Sequence, residues 1–540
     1  MSSPSLQREL SAAAAALGRQ DPAAAEQAAR RALALDQNHA DAWNLLGLAL
    51  AHGGRAEGGV AALQHAVRLR PGYRNAWDNL IAVLEHMGQV EVAAGVALEA
   101  LRRAASSAEH CHAAGVLCFR AGQSEQAADC FEQALARQPG QRKAAHDLAV
   151  VRHMQQRDAE AREQIAALIA TPPVALHERA SFAAIYSRAT EPVQLNQALA
   201  QAEAVLHVEP EHVGVLDSGA IVLGKLGRRA EAEQWARRAV ALAPGHAGAL
   251  YTLARLLDEE GRAEAAIAAL AEQPGLVEED LRLARSLGSA CLKAGQGESA
   301  LRALDRALQL APFDQLAIAL RGLALYQSGR AAAARDYWRL DGLLDRRVLA
   351  VPAGYASAQA WLAALADDIR QHSRMRFEPV GLAAHGGWLT DDLLADQTPA
   401  IQGFERSLRA AIADYLSQLP VEADQPFLAA PRQGQWRINL WATRTLAGGV
   451  IDTHIHEDSW LSGAFYVCLP PDLGQGEAHA GWIEFGRPHR GLPPLPETDI
   501  FVREPKAGEL LLFPSYAYHR TLPFAGEGER ISISFDLAFV

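Results

Sequence analysis

Cysteine is scarce in this 540-residue sequence: Cys111, Cys118, Cys130, Cys291 and Cys468 are odd in number and widely scattered. That excludes the disulfide framework of a small secreted domain. Cys111 and Cys118 lie seven apart, two helical turns on one face, and read as packing residues. Long apolar runs are missing as well, and none approaches the ~20 residues a membrane helix needs. There is no excess of positive charge: 51 Lys and Arg stand against 63 Asp and Glu, a net charge of −12. That balance argues against a nucleic-acid or membrane-surface partner. The opening MSSPSLQREL has no basic patch followed by an apolar block, so no secretory signal is expected. The expectation is a soluble, cytoplasmic chain whose length calls for two or more domains.

What the sequence has in abundance is periodicity. Gly54, Gly88 and Gly122 are spaced by 34, as are Gly227, Gly261, Gly295 and Gly329; Trp43 and Trp77 keep the same interval. Pro139 and Pro173, and Pro210 and Pro244, follow it too, with Pro71 two periods before Pro139. Each unit reads as an apolar-periodic helix that ends at glycine, then an alanine-rich helix stopped by proline. One such hairpin cannot bury its apolar face alone, so stacked copies share a core. Over residues 7–345 this pattern resembles the tetratricopeptide repeat (TPR) family, with about nine to ten hairpins. The resemblance implies a solenoid whose concave groove takes a protein or peptide. Between 156 and 227 the interval is two periods plus three, so one unit near 175–210 is irregular. His110, His112 and His146 read as helix-face or groove residues.

After Gly329 the beat stops. AQAWLAALADDIRQ and AIQGFERSLRAAIADYLSQL are amphipathic helices by apolar spacing, a helical lead-in over 346–433. From 434 to 540 the texture is β: WRINLWATRTL, GVIDTHIH, SGAFYVCL, GWIEFG, ELLLFP and RISISFDLAF, separated by breaks such as PPDLGQG and RGLPPLP. Strands at this spacing suggest a sandwich or barrel.

The ligand-rich stretch is DTHIHEDSWLSGAFYV, residues 452–467. In an extended chain His454, His456 and Asp458 share one side, and His519 in GELLLFPSYAYHRTLPF offers a further ligand. Two histidines and a carboxylate with open positions suit non-haem Fe(II). Arg530 and Ser532 in GERISISF can hold a carboxylate at the far end of a pocket.

Together these segments resemble the Fe(II)/2-oxoglutarate-dependent oxygenases, and more narrowly a bacterial and phage group of 2-oxoglutarate/Fe(II) oxygenases. The resemblance implies an α+β multidomain chain, an all-α TPR solenoid followed by a C-terminal double-stranded β-helix (jelly roll, cupin-like) with bracing helices over 346–540. It implies Fe(II) and 2-oxoglutarate as cofactors, ascorbate as a candidate reductant, and hydroxylation of a recruited protein or peptide. Two ligand registers stay open. The narrower group resembles His-x-His, which gives His454, His456 and His519; the general His-x-Asp pattern gives Asp458 as the alternative ligand or a partner behind the ligands. Asn439, Trp441 and Tyr466 are candidate lining residues of the cosubstrate pocket, against a packing role for Trp441 and Tyr466. Trp482, Phe485 and Phe513 read as barrel core, and His479 and His489 as loop residues. Two rivals remain: a non-catalytic scaffold with a degenerate barrel, and a three-histidine cupin-type dioxygenase that does not use 2-oxoglutarate. Oligomeric state is left open.

Overall fold

The computed structural model describes residues 3–377, 383–430, 435–471, 473–474 and 478–539. The outermost residues of the expected β core, Gly434 and Val540, and part of the PPDLGQG break lie outside these. The chain divides into two compact units, residues 1–189 with 200–208, and residues 190–199 with 209–540. Among the described residues no helix is long and apolar enough to cross a membrane.

The first unit is a succession of helical hairpins, such as Ala40–His52 with Ala56–Leu69 and Ala108–Arg120 with Ser124–Arg137. Gly54 and Gly88 sit at φ +79° and +73°, and the next N–H bonds back to close the helix (Arg55 N–H to Leu50 C=O, 2.9 Å). This left-handed cap costs glycine little. Two further positions in the same 34-residue register, Gln20 and Gln156, adopt it at φ +58° and +61°. The beat therefore runs further than its glycines. A second packing rule recurs in both units. Gly47, Gly115, Gly219, Gly288 and Gly322 each leave room for a bulky side chain sixteen residues on: Leu63, Phe131, Trp235, Leu304 and Trp338. A Cβ at Gly322 would come within 2.0 Å of the Trp338 ring. Cys111, Cys118, Cys130 and Cys291 are buried, and all five cysteines are free thiols.

The second unit carries the remaining hairpins, from Val213–Lys225 to Ala331–Trp338, and then ten strands. These are β1 (Asp345–Val348), β2 (Arg376–Phe377), β3 (Ala384–Leu389), β4 (Trp436–His454), β5 (Leu461–Cys468), β6 (Ile483–Phe485), β7 (Phe501–Arg503), β8 (Glu509–Pro514), β9 (His519–Thr521) and β10 (Glu529–Phe539). They run in the order β1-β8-β5-β10-β4-β9-β6-β7, with β3 and then β2 paired beyond β4, and every pairing is antiparallel. Phe485 of β6 meets Phe513 of β8 at 5.0 Å between ring centroids, although four strands separate them along that order. The sheet is rolled upon itself, a jelly-roll-like barrel. Helices Ala358–Arg370 and Pro399–Gln418 brace it, Trp361 and Phe404 packing on Phe465 at 5.7 and 5.1 Å.

One element differs from expectation. WRINLWATRTL and GVIDTHIH read as two strands, yet β4 runs through both. Its first part pairs with β10, Trp436 opposite Phe539 to Leu446 opposite Glu529; its last part pairs with β9, His454 opposite His519. Gly448, at φ +79°, bends the strand between these partners and does not end it.

Candidate metal centre and its cavity

β4 and β9 end side by side, and this places His454 opposite His519. His456 lies just beyond β4, and its N–H bonds the Ser515 carbonyl at 3.0 Å. One ring nitrogen from each of the three histidines lies within 4.8 Å of the others, an arrangement that could hold a metal ion. The Nδ1 atoms are occupied elsewhere: His454 with the Asp452 carbonyl (2.8 Å), His519 with the Ala517 carbonyl (3.0 Å), His456 with Asp536 Oδ2 (3.0 Å). Carbonyls and carboxylates only accept, so each Nδ1 carries a proton, and in a neutral ring the Nε2 is then left with the lone pair. His456 Nε2 and His519 Nε2 are 3.3 Å apart. Burial pushes the His454 imidazole down to about 4, aided by His456, and pushes His519 well below its ordinary value. Both rings are neutral at physiological pH, the form that binds metal.

Asp458 is not in this cluster. The strand ends at His454, a turn follows His456, and Asp458 is exposed in that turn. The alternation that would have aligned it with the histidines stops before reaching it.

The Nε2 atoms look into a cavity of about 360 Å³, lined among others by Trp441, Thr443, Ile483, Phe513, Arg530, Ser532 and Ser534. Arg530 is 5 % exposed and its Nε finds no hydrogen-bond partner. No carboxylate pairs with it among the described residues, and burial lowers its basicity. A buried guanidinium without an anion is costly unless a ligand supplies one. Ser532 and Ser534 follow along the same face of β10.

Two expected lining residues stand elsewhere. Asn439 is on β4 but exposed, and it does not border the cavity; Trp441 and Thr443 further along do. Tyr466 is buried behind the cavity wall, its ring 5.4 Å from the Arg530 guanidinium carbon, so it backs the arginine. Phe485 is core; Phe513 is buried and also borders the cavity, 4.6 Å from the His519 ring. Trp482 is only half-buried and His489 is exposed. Thr390 and Asp391 after β3, Arg520 and Asp536 were not anticipated. For Asp536 a signal existed, because Arg530, Ser532, Ser534 and Asp536 alternate along one strand face.

Comparisons with known proteins match the repeats and the barrel separately. Residues 439–536 match the family described as "Putative 2OG-Fe(II) oxygenase". Residues 10–74, 112–175, 219–275 and 285–340 match tetratricopeptide repeats. The chain thus carries TPR repeats in its N-terminal region and an oxygenase-family domain at its C-terminal end. No curated protein matches it. Among solved structures, similar chains include the Naa15/Naa10 complex bound to HypK-THB, at 16 % identity over 61 % of this chain and 62 % of that one, TM-score 0.35. TTC0263, a thermophilic TPR protein of Thermus thermophilus, matches at 26 % identity over 34 % of this chain and 100 % of its own, TM-score 0.31. YrrB, a TPR protein with an unusual peptide-binding site, matches at 15 % over 42 % and 97 %, TM-score 0.27.

Proposed function

We propose that the C-terminal domain is an Fe(II)- and 2-oxoglutarate-dependent dioxygenase that hydroxylates a protein or peptide recruited by the repeats. One observation carries this: three converging imidazole Nε2 atoms and a buried Arg530, with no carboxylate partner among the described residues, border the same cavity. His454, His456 and His519 would hold the metal, and Arg530 with Ser532 the distal carboxylate of the cosubstrate. The bound metal and cosubstrate would supply oxidative decarboxylation coupled to hydroxylation. The chain's own residues do the rest. Burial keeps His454 and His519 unprotonated, Ile451, Ile483 and Phe513 give the cavity dry walls, and Tyr466 fixes the guanidinium from behind. Arg530 favours this over a three-histidine enzyme without 2-oxoglutarate, which has no use for a buried cation.

The repeats support a peptide partner through polar side chains that bond between successive first helices. Asn79 donates to Asn44 (2.8 Å) and His112 meets Asp147 (2.8 Å) in the first unit; Thr252 donates to Asp217 (2.6 Å) in the second. Rows of this kind suit backbone amides of an extended chain. Free thiols fit a reducing compartment, and the proposal places the enzyme in the cytoplasm.

The test is an anaerobic titration with Fe(II), then 2-oxoglutarate, following the visible charge-transfer band of the chelate. Wild type should give the band, His454→Ala should lose it, and Asp458→Ala should keep it. Arg530→Met should weaken it strongly while leaving the ligand-free protein at least as stable. A folded wild type that gives no band would sink the proposal in favour of a non-catalytic scaffold.

A further inference from the structure

On the reading above, three neutral imidazoles leave the centre one unit more positive than two histidines and a carboxylate would. We propose that Asp536 supplies the missing negative charge one bond further out, as a positioning residue that acts on the metal through His456.

The three histidines are not equivalent behind the ring. His454 and His519 give their Nδ1 protons to backbone carbonyls, but His456 gives its proton to a carboxylate. An ionised acceptor draws the Nδ1 proton and makes Nε2 a stronger donor to metal. The carboxylate is also held for this task. Asp536 Oδ1 accepts from Ser462 Oγ at 2.7 Å, and Ser462 Oγ is 2.8 Å from Ser515 Oγ. Both serines are fully buried. Ser462 stands opposite Asp536 in the β5–β10 register, so the sheet fixes the carboxylate. Ser515 in addition accepts the His456 backbone N–H, which ties ring and carboxylate to one segment. Among the described residues no lysine or arginine pairs with Asp536; His456 is its one ionic partner.

An aspartate so placed, with no cation of its own, is explained by a positive charge beyond the imidazole. The carboxylate of the usual iron face is thus displaced outward, and the sum of charges around the metal is kept.

The experiment uses Co(II) as probe in the full chain, read by its visible spectrum, and the Fe(III)/Fe(II) midpoint potential of the iron-loaded protein. Asp536→Asn keeps an oxygen for His456 and removes the charge; its amide N–H then faces Ser462 Oγ, which can accept it while donating to Ser515. It should bind Co(II) about 10- to 100-fold more weakly than wild type and shift the midpoint potential positive. Ser462→Ala frees the carboxylate without touching His456 and should move affinity the same way by a smaller factor. It keeps the test decisive if Asp536→Asn does not fold. Wild-type affinity and potential in a folded Asp536→Asn, or wild-type affinity in Ser462→Ala, would overturn the role of Asp536 while leaving the metal site standing. A wild type that binds no Co(II) would overturn the metal reading and this role with it.

Discussion

His454 shows how position within a fold decides what a side chain can do. Its ordinary value of 6.5 falls to about 4 because burial disfavours the charged ring. In the unfolded chain the ring takes its proton near 6.5, so between these values the unfolded state binds more protons. Metal-free protein should therefore lose stability as pH falls from 6.5 toward 4, His519 pulling the same way. Urea midpoints at about pH 7.5 and about pH 5 should differ more for wild type than for His454→Gln; equal differences would count against burial as the cause. At this scale much of the site was legible. His454, His456, His519, Arg530 and Ser532 stand out by residue type and interval, and the structure gathers all five around one cavity. Asp458 and Asn439 misled because alternation predicts a face, not where a strand stops or where a cavity ends. Both limits are set by partners distant in sequence. Thr390 and Asp391 had no pattern to betray them, since their place follows from how β3 pairs with β4.

The repeats show the element scale. A left-handed cap is worth roughly 1–2 kcal/mol less to a residue with a Cβ than to glycine, yet Gln20 and Gln156 hold that conformation in register with Gly54, Gly88 and Gly122. Gln156→Gly should raise stability by about 0.5–1 kcal/mol, the strain relieved less the extra freedom of the unfolded chain. Gly88→Ala should lower it by a similar amount. Chemical denaturation of the two variants checks the pair, and an unchanged midpoint in both would mean the cap carries no strain. The helices were legible from their period, and the hairpin ends from glycine. The position of Gln156 falls on the same 34-residue ruler, but no glycine there announces the left-handed turn. β4 was read as two strands because Gly448 and Gly449 stand between its two runs, but partners on both sides hold it as one.

At the scale of the molecule, the boundary drawn from sequence at 345 follows the change from repeats to strands, whereas the compact unit extends back to 209. A single buried core runs from Leu250 and Leu283 of the repeats through Trp338 to Phe465 and Phe535 of the barrel. Tyr516, fully enclosed, donates to the Trp338 carbonyl at 2.7 Å and meets Gln425 at 3.0 Å. Arg335 grips Asp499 with two bonds, and Arg285 reaches Glu457, the residue after His456, at 3.2 Å. A fragment 209–540 should melt in one cooperative transition and bind Co(II) as the full chain does. A fragment 346–540, with Tyr516 and the Trp338 side of the core laid open, should do neither; calorimetry with a metal titration distinguishes them.

The shared core also bears on how such a gene can change. Whole 34-residue units before residue 190 lie outside the compact unit whose core includes the barrel, so they can be gained or lost without removing part of that core. After residue 209, deleting one unit would tear the wall against which the His456-bearing loop is set. A recombination that moved this barrel to another scaffold would have to break inside the array and carry the last repeats with it. Across descendants, array length should vary on one side of residue 209 and stay fixed on the other.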